Sequence, residues 1–168
     1  MIYKKHKQFI FITLFFGIVY ALISFVNHYL FRTYALDLGA YTNAMFDYRN
    51  FHFNDSLAFK ENAENLLADH FDLYLILFSP LSFIFGTYTL LILQAFFVLL
   101  GGLVVYYYFK TDNNQPNIAI YATLYFYLFF GVYAALSFDY HSNVVAAVLM
   151  PWFFYFIKKR KLVASGLM

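Results

Sequence analysis

Apolar and polar residues are distributed unevenly along this chain of 168 residues. A bilayer span takes about 20 mostly apolar residues, and four stretches of the chain approach or exceed that length. They cover residues 8–30, 87–109, 118–138 and 144–157. A long, mainly polar interval, residues 31–72, follows the first stretch. The pattern predicts an all-α polytopic membrane protein with four transmembrane helices and a long first loop, residues 31–86.

A fifth apolar run, residues 71–86, is shorter than a span and contains Pro80, which is typical of an interfacial or re-entrant helix. Four spans with a cytoplasmic N-terminus place eight of the eleven Lys and Arg residues in the cytoplasm, as the positive-inside tendency favours. A fifth span would place several of these Lys and Arg residues on the extracytoplasmic side instead. We therefore predict that the loop 31–86 and the turn 138–143 share the extracytoplasmic side.

The loop itself has helical spacing in two places. Leu38, Tyr41, Met45 and Tyr48 fall on one side of a helix that follows Asp37, and a second amphipathic segment covers residues 55–70. Both are predicted to lie along the membrane surface.

Composition supports a membrane protein, with 63% hydrophobic and 12% charged residues. We predict a single membrane domain that covers residues 1–168 and lies in the lipid bilayer. Cysteine is absent, which excludes disulfides and thiolate metal sites. The formal charge of +2 is too small to indicate a nucleic-acid partner.

Seven of the nine carboxylates lie in residues 31–72. Asp37 is the first candidate catalytic residue, because a carboxylate at the membrane surface can take a proton from an attacking hydroxyl. The alternative is that Asp37 caps the helix that follows it.

Two further polar groups are candidates. His70 lies beside Asp69 and Asp72 and could bind a divalent cation (Mg²⁺ or Mn²⁺) or a phosphate, or orient a base. The alternative is that these three polar side chains are only solvated at the membrane interface. Asp139 and His141 occupy a tight turn between two spans, where a polar pair is a functional candidate by default. Asp139, Ser142 or Asn143 could equally cap a helix. The Gly101-Gly102 pair indicates close helix packing.

The order of these elements resembles an uncharacterised bacterial family of predicted membrane proteins, the domain of unknown function twenty seventy-nine. The resemblance rests on DLGAYTNAMFD, HFDLYLILFSPLSFIFG and SFDYHSN, and covers about residues 10–161. That family in turn is similar to the N-terminal part of C-type-fold integral membrane glycosyltransferases, such as protein mannosyltransferases and aminoarabinose transferases of lipid A. The resemblance implies a bacterial cytoplasmic membrane protein.

Such enzymes transfer sugars from polyprenyl-phosphate donors to extracytoplasmic acceptors, with inversion. By this resemblance Asp37 would be the base, with Tyr41 packed beside it, and Asp139 would match a second acidic position. His70 would stand where related enzymes place a basic group for the lipid phosphate, and His141 would help to bind the substrate.

The alternative is a truncated, non-catalytic membrane protein that binds a lipid-linked sugar, a partner or other membrane subunits. It is raised by the expectation that family members continue beyond the fourth span. A transporter is disfavoured, since the span interiors hold essentially no ionisable residues.

Overall fold

The computed structural model describes residues 2–33, 36–54, 65–69, 71–110 and 117–159. Within these ranges every regular element is helical, as predicted. The α-helices are α1 (Ile2–Tyr29), α2 (Asp37–Arg49), α3 (Leu66–Asp69), α4 (Tyr74–Phe78), α5 (Ser82–Phe85), α6 (Thr89–Lys110), α7 (Ile118–Leu128), α8 (Phe130–Phe138) and α9 (Ser142–Lys158). Two 3₁₀ turns, Ser79–Leu81 and Gly86–Tyr88, join α4, α5 and α6.

Three stretches among the described residues are long and apolar enough to cross a membrane: His6–Tyr29, Tyr74–Lys110 and Ile118–Phe138. The fourth predicted span coincides with α9, a shorter apolar helix of 17 residues. At 1.5 Å per residue α9 is about 26 Å long, just under the thickness of a bilayer core. The structure therefore supports three spans by length, and the count of four stays a prediction.

Helix α6 is the centre of the bundle, and α1, α7 and α9 pack around it. Its two adjacent glycines make this possible. A Cβ at Gly102 would lie 2.2 Å from the ring of Tyr127, and one at Gly101 would lie 2.8 Å from the backbone oxygen of Val148. Small residues let helices approach closely in membranes. The predicted packing role of the glycine pair is confirmed.

The third predicted span is broken between α7 and α8, where Phe129 adopts an extended conformation with ψ 126°. Breaking a helix frees backbone carbonyls, which must find other partners inside a membrane. The hydroxyl of Tyr20, on α1, donates to the carbonyl of Tyr127 at 2.7 Å. Tyr20 and Tyr127 are both fully buried. The neighbouring helix thus stabilises the break.

The bounds of α2 match the predicted loop helix closely. Its apolar side chains are buried and form one core cluster with residues of α4, α6 and α9: Leu38, Tyr41, Ala44, Met45 and Tyr48. Protein therefore covers the apolar face of α2, and the position of this helix along the membrane surface stays a prediction.

The segment that precedes α6 is held against α2 by Arg49. The Nη1 atom of Arg49 donates to the backbone oxygen of Ser82 at 2.9 Å. Its guanidinium also lies 4.2 Å from the ring centroid of Phe46 and 4.7 Å from that of Phe83. Such cation–π contacts add to the hydrogen bond. The predicted interfacial run 71–86 is therefore a chain of short helices docked on α2.

Candidate functional site

The structure brings three of the predicted site residues together. Nε2 of His141 lies 3.6 Å from a carboxylate oxygen of Asp37, and Nδ1 of the same ring lies 3.0 Å from a carboxylate oxygen of Asp139. The imidazole thus stands between two carboxylates. Asp37 begins α2, whereas Asp139 and His141 lie in the turn between α8 and α9. We refer to Asp37, His141 and Asp139 as the Asp–His–Asp cluster.

The two carboxylates of this cluster differ in exposure. The side chain of Asp139 is 0% exposed, and that of Asp37 is 45% exposed. Only Asp37 and the partly exposed His141 can therefore meet a substrate. Asp139 can act on chemistry only through His141, by holding the imidazole in place.

The capping alternatives for both aspartates are wrong. Helix α2 begins at Asp37 itself, its N-cap residue is Leu36, and no side chain caps it. The N-cap residue of α9 is His141, again with no side-chain cap. Asp37 still complements the positive end of the α2 dipole, since it lies in the first turn.

Gln94 is a site residue that sequence reasoning missed. It is fully buried in α6, its Nε2 donates to the backbone oxygen of Asp139 at 2.7 Å, and its Oε1 accepts from the backbone nitrogen of His141 at 2.8 Å. Both ends of one amide thus hold the turn. The sequence does contain a signal, since Gln94 is a single amide inside the apolar run LLILQAFFVLL. A buried amide needs hydrogen-bond partners for both its oxygen and its nitrogen.

Tyr41 lies at the edge of the cluster. Its ring packs edge-on against that of Tyr140, with 5.2 Å between centroids, and its hydroxyl donates to a carboxylate oxygen of Asp72 at 3.2 Å. Burial, with lesser contributions from the charges of Asp72 and Asp37, raises the pKa of Tyr41 to about 12. The phenol therefore remains a neutral donor at ordinary pH.

The predicted cation site lies partly outside the described residues, which include neither His70 nor the side chain of Asp69. Asp72, its third member, is the acceptor for Tyr41. Across the part of the chain that the structure describes, no group of three His, Asp or Glu side chains could hold a metal ion. In the Asp–His–Asp cluster the carboxylates face opposite nitrogens of one ring, so they do not converge on a point.

The chemistry open to this cluster is proton transfer. A carboxylate beside Nδ1 orients a histidine and, in the neutral ring, favours the tautomer with its proton on Nδ1. Nε2 is then left facing Asp37. The distance of 3.6 Å is just beyond a hydrogen bond, so transfer of a proton between Asp37 and His141 requires a closer approach of the two side chains.

Comparison with known proteins identifies the family but no function. The model of a family described as predicted membrane protein (DUF2079) matches residues 27–167, a stretch that includes the whole Asp–His–Asp cluster and Gln94. No protein with a curated description and no solved structure matches the chain. Since the matched stretch is most of the chain, the protein belongs to the DUF2079 family of predicted membrane proteins.

Proposed function

We propose that the protein acts in glycosyl transfer at the extracytoplasmic face of a bacterial cytoplasmic membrane, with a polyprenyl-phosphate-linked sugar as donor. The observation that carries the proposal is the Asp–His–Asp cluster: a half-exposed carboxylate coupled through an imidazole to a buried one. It lies at one end of a membrane bundle, where an amphiphilic donor can present its sugar while its chain stays in lipid.

In the proposed step, an acceptor hydroxyl oxygen bonds to the anomeric carbon and the bond from that carbon to the lipid phosphate oxygen breaks. The hydroxyl proton passes to Asp37, and the lipid phosphate leaves as an anion. General-base catalysis of this kind contributes about 10²- to 10⁴-fold in rate. Asp37 is the assigned base because its side chain is the more exposed of the two carboxylates.

His141 and Asp139 are assigned supporting roles. His141 lies 3.6 Å from Asp37 and would take up the proton that Asp37 receives once the two side chains approach to hydrogen-bond distance. Asp139, fully buried, fixes the imidazole. His70 is the candidate contact for the donor phosphate, directly or through a divalent cation; this role rests on its sequence position alone.

The test is release of undecaprenyl phosphate from undecaprenyl-phosphate-linked sugars by the protein in proteoliposomes. We expect Asp37→Asn to lower release at least 100-fold, the lower end of the range for a general base. Asp47→Asn is the matched control, because Asp47 is a second carboxylate on α2 and its amide can still accept from Asn54. It should keep wild-type release.

Equal release by wild type and Asp37→Asn would remove Asp37 as the base. Saturable binding of the donor by wild type without any release would replace transfer by simple recognition of a lipid-linked sugar.

A further inference from the structure

A second feature of the structure lies on the opposite side of α2 from Asp37. It is an open cleft of about 1010 Å³ between α2, the end of α1 and the turn Gly86–Tyr88. Gly39, Thr42, Asn43 and Phe46 line it at i, i+3, i+4 and i+7, the spacing of one helix face. Asp37 and His141 do not line it, so the cleft is separate from the Asp–His–Asp cluster.

The walls of the cleft combine apolar side chains with polar groups that lack partners. Leu30, Phe31 and Phe46 supply the apolar surface, and the buried Leu38 lies behind it. His28 engages the hydroxyls of Thr33 and Thr87, each at 3.0 Å, so these groups are occupied. The side chains of Thr42 and Asn43, by contrast, form no hydrogen bond with any residue that the structure describes. They are free to meet a polar ligand group.

The ring of Phe31 lies at the edge of the cleft. Phe31 has φ 56°, a left-handed conformation that is unfavourable for a bulky residue, and its side chain is 95% exposed. It ends α1: the nitrogen of Phe31 donates to His28 and that of Arg32 to Asn27, a Schellman arrangement that usually has glycine at this position. These two hydrogen bonds hold the conformation and leave the aromatic ring exposed beside the cleft.

Lipid is the occupant that fits this position. The cleft is continuous with the exposed apolar stripe of α1, a candidate membrane span, through Leu22, Val26 and Tyr29. The exposed Arg32 stands between two lining residues, Phe31 and Thr33, at the end of that span. A cation beside an apolar cleft at the interface complements an anionic headgroup.

We propose that this cleft binds an anionic bilayer phospholipid, with an acyl chain against Leu30, Phe31 and Phe46 and the phosphate headgroup beside Asn43 and Arg32. The site is independent of the proposed glycosyl transfer, since the two lie on opposite sides of α2.

Photo-crosslinking tests this in nanodiscs that contain phosphatidylglycerol with a diazirine on its acyl chain. Wild type should be labelled on peptides that cover residues 28–46. Gly39→Leu should lower that labelling about tenfold or more, because the added side chain fills the cleft. A Cβ at Gly39 meets nothing within 4 Å, and replacing a helical glycine favours the helix, so this variant should fold.

Ala134→Leu is the control, since it adds the same bulk to an exposed position on α8 outside the cleft. Its labelling of residues 28–46 should equal that of wild type. Undiminished labelling in Gly39→Leu, or labelling spread evenly over all lipid-facing helices, would overturn the proposal.

The same nanodiscs test the charge of the headgroup and whether the occupant is a phospholipid or a polyprenyl phosphate. Wild type should label about fivefold better with the phosphatidylglycerol probe than with phosphatidylcholine, and Arg32→Gln should abolish that preference. Equal labelling in wild type would overturn the anionic headgroup. Displacement of the probe by equimolar undecaprenyl phosphate, but not by unlabelled phosphatidylglycerol, would overturn the phospholipid as occupant.

Discussion

At the scale of single residues, the amide of Gln94 organises the site more than any charged group does. It donates to the carbonyl of Asp139 and accepts from the backbone nitrogen of His141, although it lies within an apolar helix. Removing it would leave two backbone groups buried without these partners. The cost of such groups is typically about 1–3 kcal/mol each.

We expect Gln94→Leu to lower the free energy of unfolding by about 3 kcal/mol, the sum of two modest penalties of this kind. Thermal unfolding in detergent measures it. Gln94→Glu at acidic pH carries a neutral carboxyl that can both donate and accept, so it should remain close to wild type. An equal loss of unfolding free energy in Gln94→Leu and Gln94→Glu would mean that packing, and not the two hydrogen bonds of the amide, holds the turn.

Tyr41 gives a prediction for pH. Its pKa is raised to about 12 in the folded protein, mainly by burial, whereas an unfolded tyrosine titrates near 10. The folded state therefore holds the proton more tightly, and this contribution to stability is present below pH 10 and is lost as pH rises through 12. Tyr41→Phe should lose less stability than wild type between these pH values.

Chemical unfolding at pH 9, 10 and 11 measures the difference between Tyr41→Phe and wild type. At pH 9 the variant should be the less stable of the two, because it lacks the hydrogen bond to Asp72. A constant gap across all three pH values would contradict the role of burial at Tyr41.

At the scale of helices, apolar length was the informative signal. The apolar stretches predicted at residues 8–30, 87–109 and 144–157 correspond to the helices α1, α6 and α9, because a long apolar run in lipid has to satisfy its backbone as a helix. For α9 the crossing itself stays a prediction. The break at Phe129 could not be predicted in this way. It depends on Tyr20, a residue more than a hundred positions away, which takes up the freed carbonyl.

The glycine pair of α6 yields a test of helix packing. Gly102→Ala would place a Cβ against the buried ring of Tyr127, which also donates to the carbonyl of Leu99 at 3.0 Å. Overpacking of this kind typically costs about 1–3 kcal/mol. Thermal unfolding should show that loss.

Gly17→Ala is the matched control in α1. Its Cβ would meet only the end of the Leu99 side chain, at 3.3 Å, which can move. This variant should unfold within a degree or two of wild type or above it, because alanine favours a helix more than glycine does. A larger loss at Gly17 than at Gly102 would contradict the packing described for α6.

At the scale of the whole molecule, the predicted topology placed residues 31–86 and 138–143 on one side, and the contact between Asp37 and His141 agrees with that placement. The distribution of Lys and Arg predicts the side of the membrane but not the contact between Asp37 and His141. The two residues are far apart in sequence, and their distance is set by how α2 docks on α4, α6 and α9. The separate cleft beyond α2 left no signal in the sequence either, since its lining comes from three segments.

The absence of cysteine from the sequence makes the topology easy to test, because each introduced cysteine is the only thiol. Ser137→Cys, at the end of α8, and Lys159→Cys, beyond the end of α9, are both exposed positions. A membrane-impermeant maleimide should label Ser137→Cys in intact cells and Lys159→Cys only after lysis.

His52→Cys, in the loop after α2, is the reference and should behave like Ser137→Cys. Labelling of both Ser137→Cys and Lys159→Cys from outside would show that α9 does not cross the membrane. The reverse pattern would invert the predicted orientation.

The amide clamp on the turn has one more consequence. Asp139 and His141 are hydrogen-bonded to α6, whereas Asp37 belongs to a helix that packs on the bundle through its apolar face. The contact of 3.6 Å between Asp37 and His141 therefore joins two separate elements, unlike the contact of 3.0 Å between His141 and Asp139 within one turn. A substitution that alters the packing of α2 should therefore change the first distance and leave the second as it is.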